Sequence, residues 1–173
     1  DQLVALVYNP PGCLRVLDPE LDPLNQMLPL LIRQAAGLSQ VDLIQQDSTQ
    51  AAIPMPGIFG DEPQHGWCYY FEKADLARQM GDWGLVADLG DTAFTQGDYP
   101  NDPTERLVFI EGYARTGQWD NARQQTQEAV AITPLLQPVL CRLWERIGQD
   151  TATSIPAGLL DAIRQGLECT ANP

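Results

Sequence analysis

The apolar positions of the chain change rhythm twice. Residues 3–8, LVALVY, form a dense β-branched and aromatic run, NPPG follows at 9–12, and a second short run, CLRVL, comes next. Two such runs around a Pro/Gly turn predict an antiparallel hairpin. Beyond it Leu24, Met27, Leu28, Leu31 and Ile32 recur at helical spacing after DPELDPLNQ. The expected element is a helix that starts among these Asp and Pro residues and stops at Gly37. Residues 45–66 carry three Pro and three Gly without sustained periodicity. They read as a connecting loop packed down by Ile53, Met55, Ile58 and Phe59. From Trp67 the chain becomes a succession of helical segments separated by short Gly, Pro, Asn and Asp breaks. The expected organisation is a hairpin-and-helix extension over 1–44, a loop over 45–66 and a helical region over 67–173.

The helical region repeats itself. GDW at 81–83 aligns with GQW at 117–119, and around Gly117 stand Tyr113 four before, Ala122 five after, Ala129 twelve after and Pro134 seventeen after. In the first unit Ala74, Ala77, Val86 and Ala93 take the corresponding small and apolar places. A third segment, PLLQPVLCRLWERIG, sets Trp144 four before Gly148, and PAGLLDAIRQGLEC reads as its capping partner. Over residues 67–149 this pattern resembles the tetratricopeptide repeat, in which a Gly and an aromatic make the turn between two closely packed helices. The resemblance implies a mainly α fold, a right-handed helical solenoid whose first helices line a concave groove. Aligned on the three glycines, the groove positions are Phe71, Asp75 and Arg78, then Leu107, Glu111 and Arg115, then Arg142 and Glu145. The same charges would serve equally as ion pairs between neighbouring helices. As groove residues, Arg78 and Arg115 could be charge-reversed at little cost in stability, since exposed pairs contribute up to about 1 kcal/mol each.

Charge narrows the partners. The formal net charge is -13, from 23 acidic residues against 10 basic ones, nine of them Arg. No basic stripe exists for nucleic acid or for anionic lipid headgroups. No apolar run approaches the roughly 20 residues that span a bilayer. The chain opens at Asp1 without a basic and then apolar leader, and is expected to be a piece of something longer. The four cysteines, at 13, 68, 141 and 169, form no CxxC pair, which argues against zinc and thioredoxin-like chemistry. Their even number suits one or two disulfides in an oxidising compartment, and four buried thiols in a cytosolic protein would give the same spacing.

A second resemblance rests on PPGCLRVLDPE, EPQHGWCYYFEKADLARQ, GDYPNDPTER and LCRLWERI. These segments are similar to the soluble C-terminal region of uncharacterised bacterial polytopic membrane proteins, some of which resemble lipid-linked sugar glycosyltransferases. That likeness implies an extracytoplasmic domain of a membrane-anchored parent and favours disulfides over free thiols. Connectivity stays open, with Cys13–Cys68 and Cys141–Cys169 the first pairings to try, because each would tie an outlying segment to the helical array.

Candidate chemistry gathers at residues 61–73, where the only His and only Lys stand near Cys68. His65, Asp61, Glu62 and Lys73 could supply acid, base and cation, and Cys68 a nucleophile. Yet His65 sits in a Gly-flanked loop three residues before Cys68, a poor frame for a rigid pair. Packing explains more of these residues: EPQHG as a surface turn, then a helix whose Trp67, Tyr70, Phe71, Ala74 and Ala77 include core positions. The stretch QGDYPNDPTE reads as an interhelix turn with Asp or Asn capping rather than a calcium loop. No phosphate loop, hydrolase elbow or zinc-protease motif occurs. The expected function is a non-enzymatic interaction domain without cofactor or metal, whose partner is protein or peptide, including parts of its own parent. The alternative is an accessory domain of a membrane glycosyltransferase that contacts glycan or lipid-linked sugar through Trp67, Tyr69 and Tyr70.

Overall fold

The computed structural model of the protein describes residues 3–44, 55–60, 64–150 and 154–169. The chain is mainly helical, with one small two-stranded antiparallel sheet at its N-terminal end. The sheet forms where the apolar run meets NPPG. Strand β1 (Leu6–Val7) pairs with β2 (Arg15–Val16), Leu6 opposite Val16 and Val7 opposite Arg15. The Gly12 N–H closes the turn on the Asn9 carbonyl at 2.9 Å. Alternation along the strands places Ala5, Val7 and Leu17 on one face, and that face packs on Leu28, Ile32 and Ala36 as a small core of its own.

The helix after the hairpin is shorter than its periodicity suggests. Asp22–Leu24 make a single 3-10 turn, and α1 (Leu30–Ala36) ends, as expected, at Gly37. Pro29 is the physical reason: it has no N–H and restricts Leu28, so it stands before a helix and not inside one. Leu28 and Ile32 reach the small core, whereas Leu24, Met27 and Leu31 are exposed. Of the connecting stretch, residues 45–54, Ile53 among them, and 61–63 lie outside the described residues. Its one-turn helix α2 (Pro56–Phe59) leaves Met55 and Ile58 exposed at 62% and 68%, not packed down. A single turn has too few residues to build an apolar face.

The helical region contains α3 (Trp67–Gln79), α4 (Trp83–Thr95), α5 (Leu107–Arg115), α6 (Trp119–Ile132), α7 (Gln137–Gln149) and α8 (Leu159–Gly166). Both GxW motifs lie in turns. Gly81 and Gly117 adopt φ of 72° and 78°, a left-handed conformation that glycine takes at least cost, and Trp83 and Trp119 open the next helices. The Asp82 carboxylate caps α4 by accepting the Leu85 N–H at 3.1 Å. Ala74, Ala77, Val86, Ala93, Tyr113, Ala122, Ala129 and Trp144 are all buried, as their places in the repeat predict. Helix α3 packs on α4, α4 on α5 and α5 on α6, while α3 also meets α5 and α5 meets α7. The first helices of successive pairs therefore lie side by side.

Gly148 departs from this scheme. It lies in the last turn of α7 rather than in an interhelix turn, and a Cβ there would meet Leu160 Cδ1 of α8 at 2.9 Å. No GxW follows it, and the helix that packs beside α7 is α8, which begins only at Leu159. Close approach matters most between α4 and α5, where a Cβ on Gly112 would come within 2.3 Å of Val86 Cγ1. Aromatic rings join α3, α4 and α5: those of Trp67, Phe94 and Phe109 meet edge to face at 5.2 to 5.5 Å.

Two disulfides close the ends. Cys13–Cys68 ties the hairpin to the first turn of α3, and Cys141–Cys169 ties α7 to the chain just beyond α8. They link residues 55 and 28 positions apart, and restricting the unfolded chain by loops of that length is worth about 3 to 4 kcal/mol each. Non-reducing mass spectrometry of protein from its native compartment should find no free thiol among the four cysteines, and reduction should lower the melting temperature. Gly112→Ala should cost roughly 1 to 3 kcal/mol in denaturant unfolding, because α4 and α5 must separate to admit the methyl group.

Candidate functional site

The residues singled out on α3, α5 and α7 converge on one wall. Within α3 the Asp75 Oδ1 accepts from Arg78 Nε and Nη2 at 3.0 and 2.9 Å. Within α5 the Glu111 Oε1 accepts from Arg115 Nε at 3.0 Å. Within α7 the Arg142 Nη1 donates to Glu145 Oε2 at 2.7 Å. Arg146, one residue beyond the aligned position, joins α7 to α5 by donating to Glu111 Oε2 at 2.6 Å. Arg115 also pairs with Asp150 at the end of α7. Phe71 and Leu107, the apolar members of the set, lie at the base of this wall and are buried.

The wall is not an open groove. A strap made by residues 16–26 lies across it, because the helix expected there is delayed by Pro29 and leaves a stretch of turns. Asp18 reaches between two helices, its Oδ2 accepting from Arg78 Nη1 and Arg146 Nη1, each at 2.9 Å. Glu20 spans Arg142 at 2.5 Å and Arg146 at 3.2 Å. Leu21 is buried between them. Arg15 of β2 holds the strap from the hairpin by donating to Asp22 Oδ1 at 2.7 Å. Between strap and wall a cavity of about 30 Å3 remains, bordered by Arg15, Phe71, Asp75, Arg78 and Glu111 among others.

Local bonding explains the strap's shape. Asp18 Oδ1 accepts the N–H groups of Glu20 and Leu21 at 2.8 and 3.0 Å, and Asp22 Oδ2 accepts the Asp18 N–H at 2.8 Å. Asn25 Oδ1 accepts the Met27 N–H at 3.1 Å. These are the turn-forming habits of Asp and Asn side chains. Burial alone would raise the Asp18 carboxyl, but Arg78 and Arg146 outweigh it and hold that carboxyl below its ordinary value. Burial likewise opposes the charge on Arg78 and Arg146, yet Asp75, Asp18 and Glu111 keep Arg78, and Glu111 and Asp18 keep Arg146, more firmly protonated than usual.

A second buried carboxylate sits at the hairpin end. Glu105 accepts the Cys13 N–H at 2.7 Å and the Trp67 indole N–H at 2.6 Å. Burial raises its carboxyl above the ordinary range, partly offset by these two bonds. The neighbouring turn caps as expected: Asp102 accepts from Thr104 N–H and Oγ1–H at 2.9 and 2.7 Å.

The cluster around the single His and Lys resolves into separate parts. Trp67 is buried, 3% exposed, and is therefore not the surface aromatic that a glycan contact needs; its ring is drawn inward by Phe94, Phe109 and Glu105. Tyr69 and Tyr70 are half-buried. The His65 ring stacks on Tyr69 at 3.4 Å, and the Lys73 ammonium lies 4.3 Å from the centre of that ring. Cys68 is bound in the disulfide, so it has no thiol to act as nucleophile. Asp61 and Glu62 lie outside the described residues. Sequence reasoning missed Asp18, Glu20, Arg146 and Asp150. For the first two the signal was present, since an Asp-Pro-Glu-Leu-Asp stretch can form acidic turns as readily as a helix start.

Comparison with protein-family models, with curated proteins and with solved structures finds no match to this chain.

Because Arg78 and Arg115 are largely buried in the network, reversing both charges should no longer be nearly neutral. The double variant Arg78→Glu, Arg115→Glu should lose at least 3 kcal/mol, the usual cost of leaving a buried ion without its partner. Acid unfolding provides a separate check. A carboxyl whose folded pKa is depressed contributes stability above its unfolded value, about 4 for Asp, and loses it as the pH falls through the folded value. Asp18→Asn should therefore be less stable than the parent at pH 7 by about 1 to 2 kcal/mol, the worth of its charged hydrogen bonds, since Arg78 and Arg146 retain Asp75 and Glu111, with the difference shrinking below pH 4. Glu105 works with the opposite sign, since a raised carboxyl gains its proton first in the folded chain.

Proposed function

We propose that the chain is a non-enzymatic interaction domain, a right-handed tetratricopeptide-like solenoid within a membrane-anchored parent protein on the extracytoplasmic side of a bacterial membrane. Its partner is a protein or peptide, parts of the parent included. The observation that carries this reading is the row formed by α3, α5 and α7, whose charged side chains share one wall and already hold a non-helical segment of polypeptide. An array of first helices gripping an extended or turned peptide is how helical-repeat surfaces bind. The two disulfides suit an oxidising compartment. No described helix is long and apolar enough to cross a membrane, and the anchor in this reading belongs to the parent.

The test separates peptide from glycan. Peptide display against the oxidised chain should enrich binders, and a panel of immobilised glycans and lipid-linked sugars should not retain it. Retention on glycans that is lost in Tyr69→Ala would transfer the function to the glycosyltransferase accessory role. Failure to enrich any peptide, together with the absence of cross-links to a protein partner in intact cells, would end the interaction reading.

A further inference from the structure

The strap has the properties of a ligand more than those of a structural element. Its shape comes largely from bonds inside residues 18–22, where Asp18 and Asp22 cap their own turns. A peptide of this sequence carries that shape with it, which reduces the ordering cost of binding. Its grip on the wall is made by two carboxylates and one buried leucine: Asp18 between Arg78 and Arg146, Glu20 between Arg142 and Arg146, and Leu21. Those three side chains fall within four consecutive residues.

The wall, in turn, is built to survive the strap's departure. Arg78 keeps Asp75, Arg146 keeps Glu111 and Arg142 keeps Glu145 whether or not the strap is present. Removing the strap therefore leaves each of these three guanidiniums with a carboxylate, so the situation that makes most buried ion pairs costly to break does not arise on the wall. Arg15, which loses Asp22, keeps only the longer contact to Asp102 at 3.6 Å. The outer end of the contact is already half-open, with the Arg142 and Glu20 side chains 33% and 37% exposed. What holds the strap is its attachment: the Cys13–Cys68 disulfide at one end and the hairpin packed on α1 around it. Such tethering gives a short segment an effective concentration in the millimolar range.

We infer that residues 16–26 are a ligand held in cis, and that the wall of Arg78, Arg142 and Arg146 recognises acidic, leucine-anchored peptides of this pattern, admitting one from a partner only when its own strap is displaced. This rests on the interaction reading above and names its partner by chemistry.

The probe is a fluorescent peptide with the strap's own sequence, VLDPELDPLNQ, measured by anisotropy against the full chain. Cys13→Ser with Cys68→Ser removes the clasp and leaves every wall residue in place. The clasp-free chain should bind the peptide at least tenfold more tightly than the parent, and a peptide with Asn and Gln in place of Asp and Glu should bind at least tenfold more weakly to it. Equal binding by the parent and clasp-free chains, or by the acidic and neutral peptides, overturns the inference. Should the clasp-free chain fail to fold, hydrogen exchange on the parent decides. The bonded amides of Asp18, Leu21 and Leu24 should exchange at least a hundredfold faster than those of α5. Exchange of both at one common rate would mean that the strap leaves only on global unfolding, and the inference fails. That result would leave the peptide-display test of the interaction reading standing, since display can find surfaces elsewhere on the chain.

Discussion

The placement of the N-terminal segment depends on one buried carboxylate shared between helices that do not follow each other in sequence. Asp18 bridges Arg78 of α3 and Arg146 of α7, and Arg146 in turn meets Glu111 of α5. Removing charges from water is costly, and a pair of this kind gains stability only when its geometry is good and its remaining lone pairs are filled. Asp18 meets that condition, because its second oxygen accepts two backbone N–H groups. The bridge consequently does more to specify where the N-terminal segment lies than to add net stability. An apolar strap could have slid along the wall; a carboxylate that must meet two particular arginines cannot.

Glu105 performs a parallel task where the hairpin meets α3. One carboxylate collects the backbone of Cys13 and the indole of Trp67, and the disulfide from Cys13 to Cys68 lies beside that junction. Hairpin, α3 and the turn before α5 are joined within a few residues of each other. Two unlike constraints, one covalent and one a buried acceptor, thus position the hairpin from which the strap departs. The strap's placement on the wall follows from this anchorage as much as from its own charges.

The helical array supplies the surface on which these devices work. Small residues at the contacts let α4 and α5 approach closely, with Gly112 against Val86 and Gly90 against Phe109 and Tyr113. Large rings fill the space beside these contacts, where Trp67, Phe94 and Phe109 pack edge to face. Because α3, α5 and α7 lie side by side, residues three to four apart on each helix align into one wall. The charged members of that wall satisfy one another locally, which allows a protein of net charge -13 to concentrate arginines in one place.

Local physics made much of this legible from the sequence. The hairpin follows from two β-forming runs around NPPG. The helix turns follow from the left-handed glycines at 81 and 117, and the buried small residues follow from their spacing about those turns. Even the wall was legible, since helical periodicity and repeat alignment place Asp75, Arg78, Glu111, Arg115 and Arg142 in register. Periodicity failed where a backbone restriction opposed it: Pro29 delayed the start of a helix that the leucines alone predict earlier, and Gly148 served close packing where its predecessors made turns. Tertiary structure decided what the wall touches. Whether an exposed-looking arginine meets solvent or a carboxylate 60 or 128 residues away depends on where the chain returns in space. Long-range ion pairs leave no periodic trace in a sequence, because charge complementarity acts between any two segments that the fold brings together.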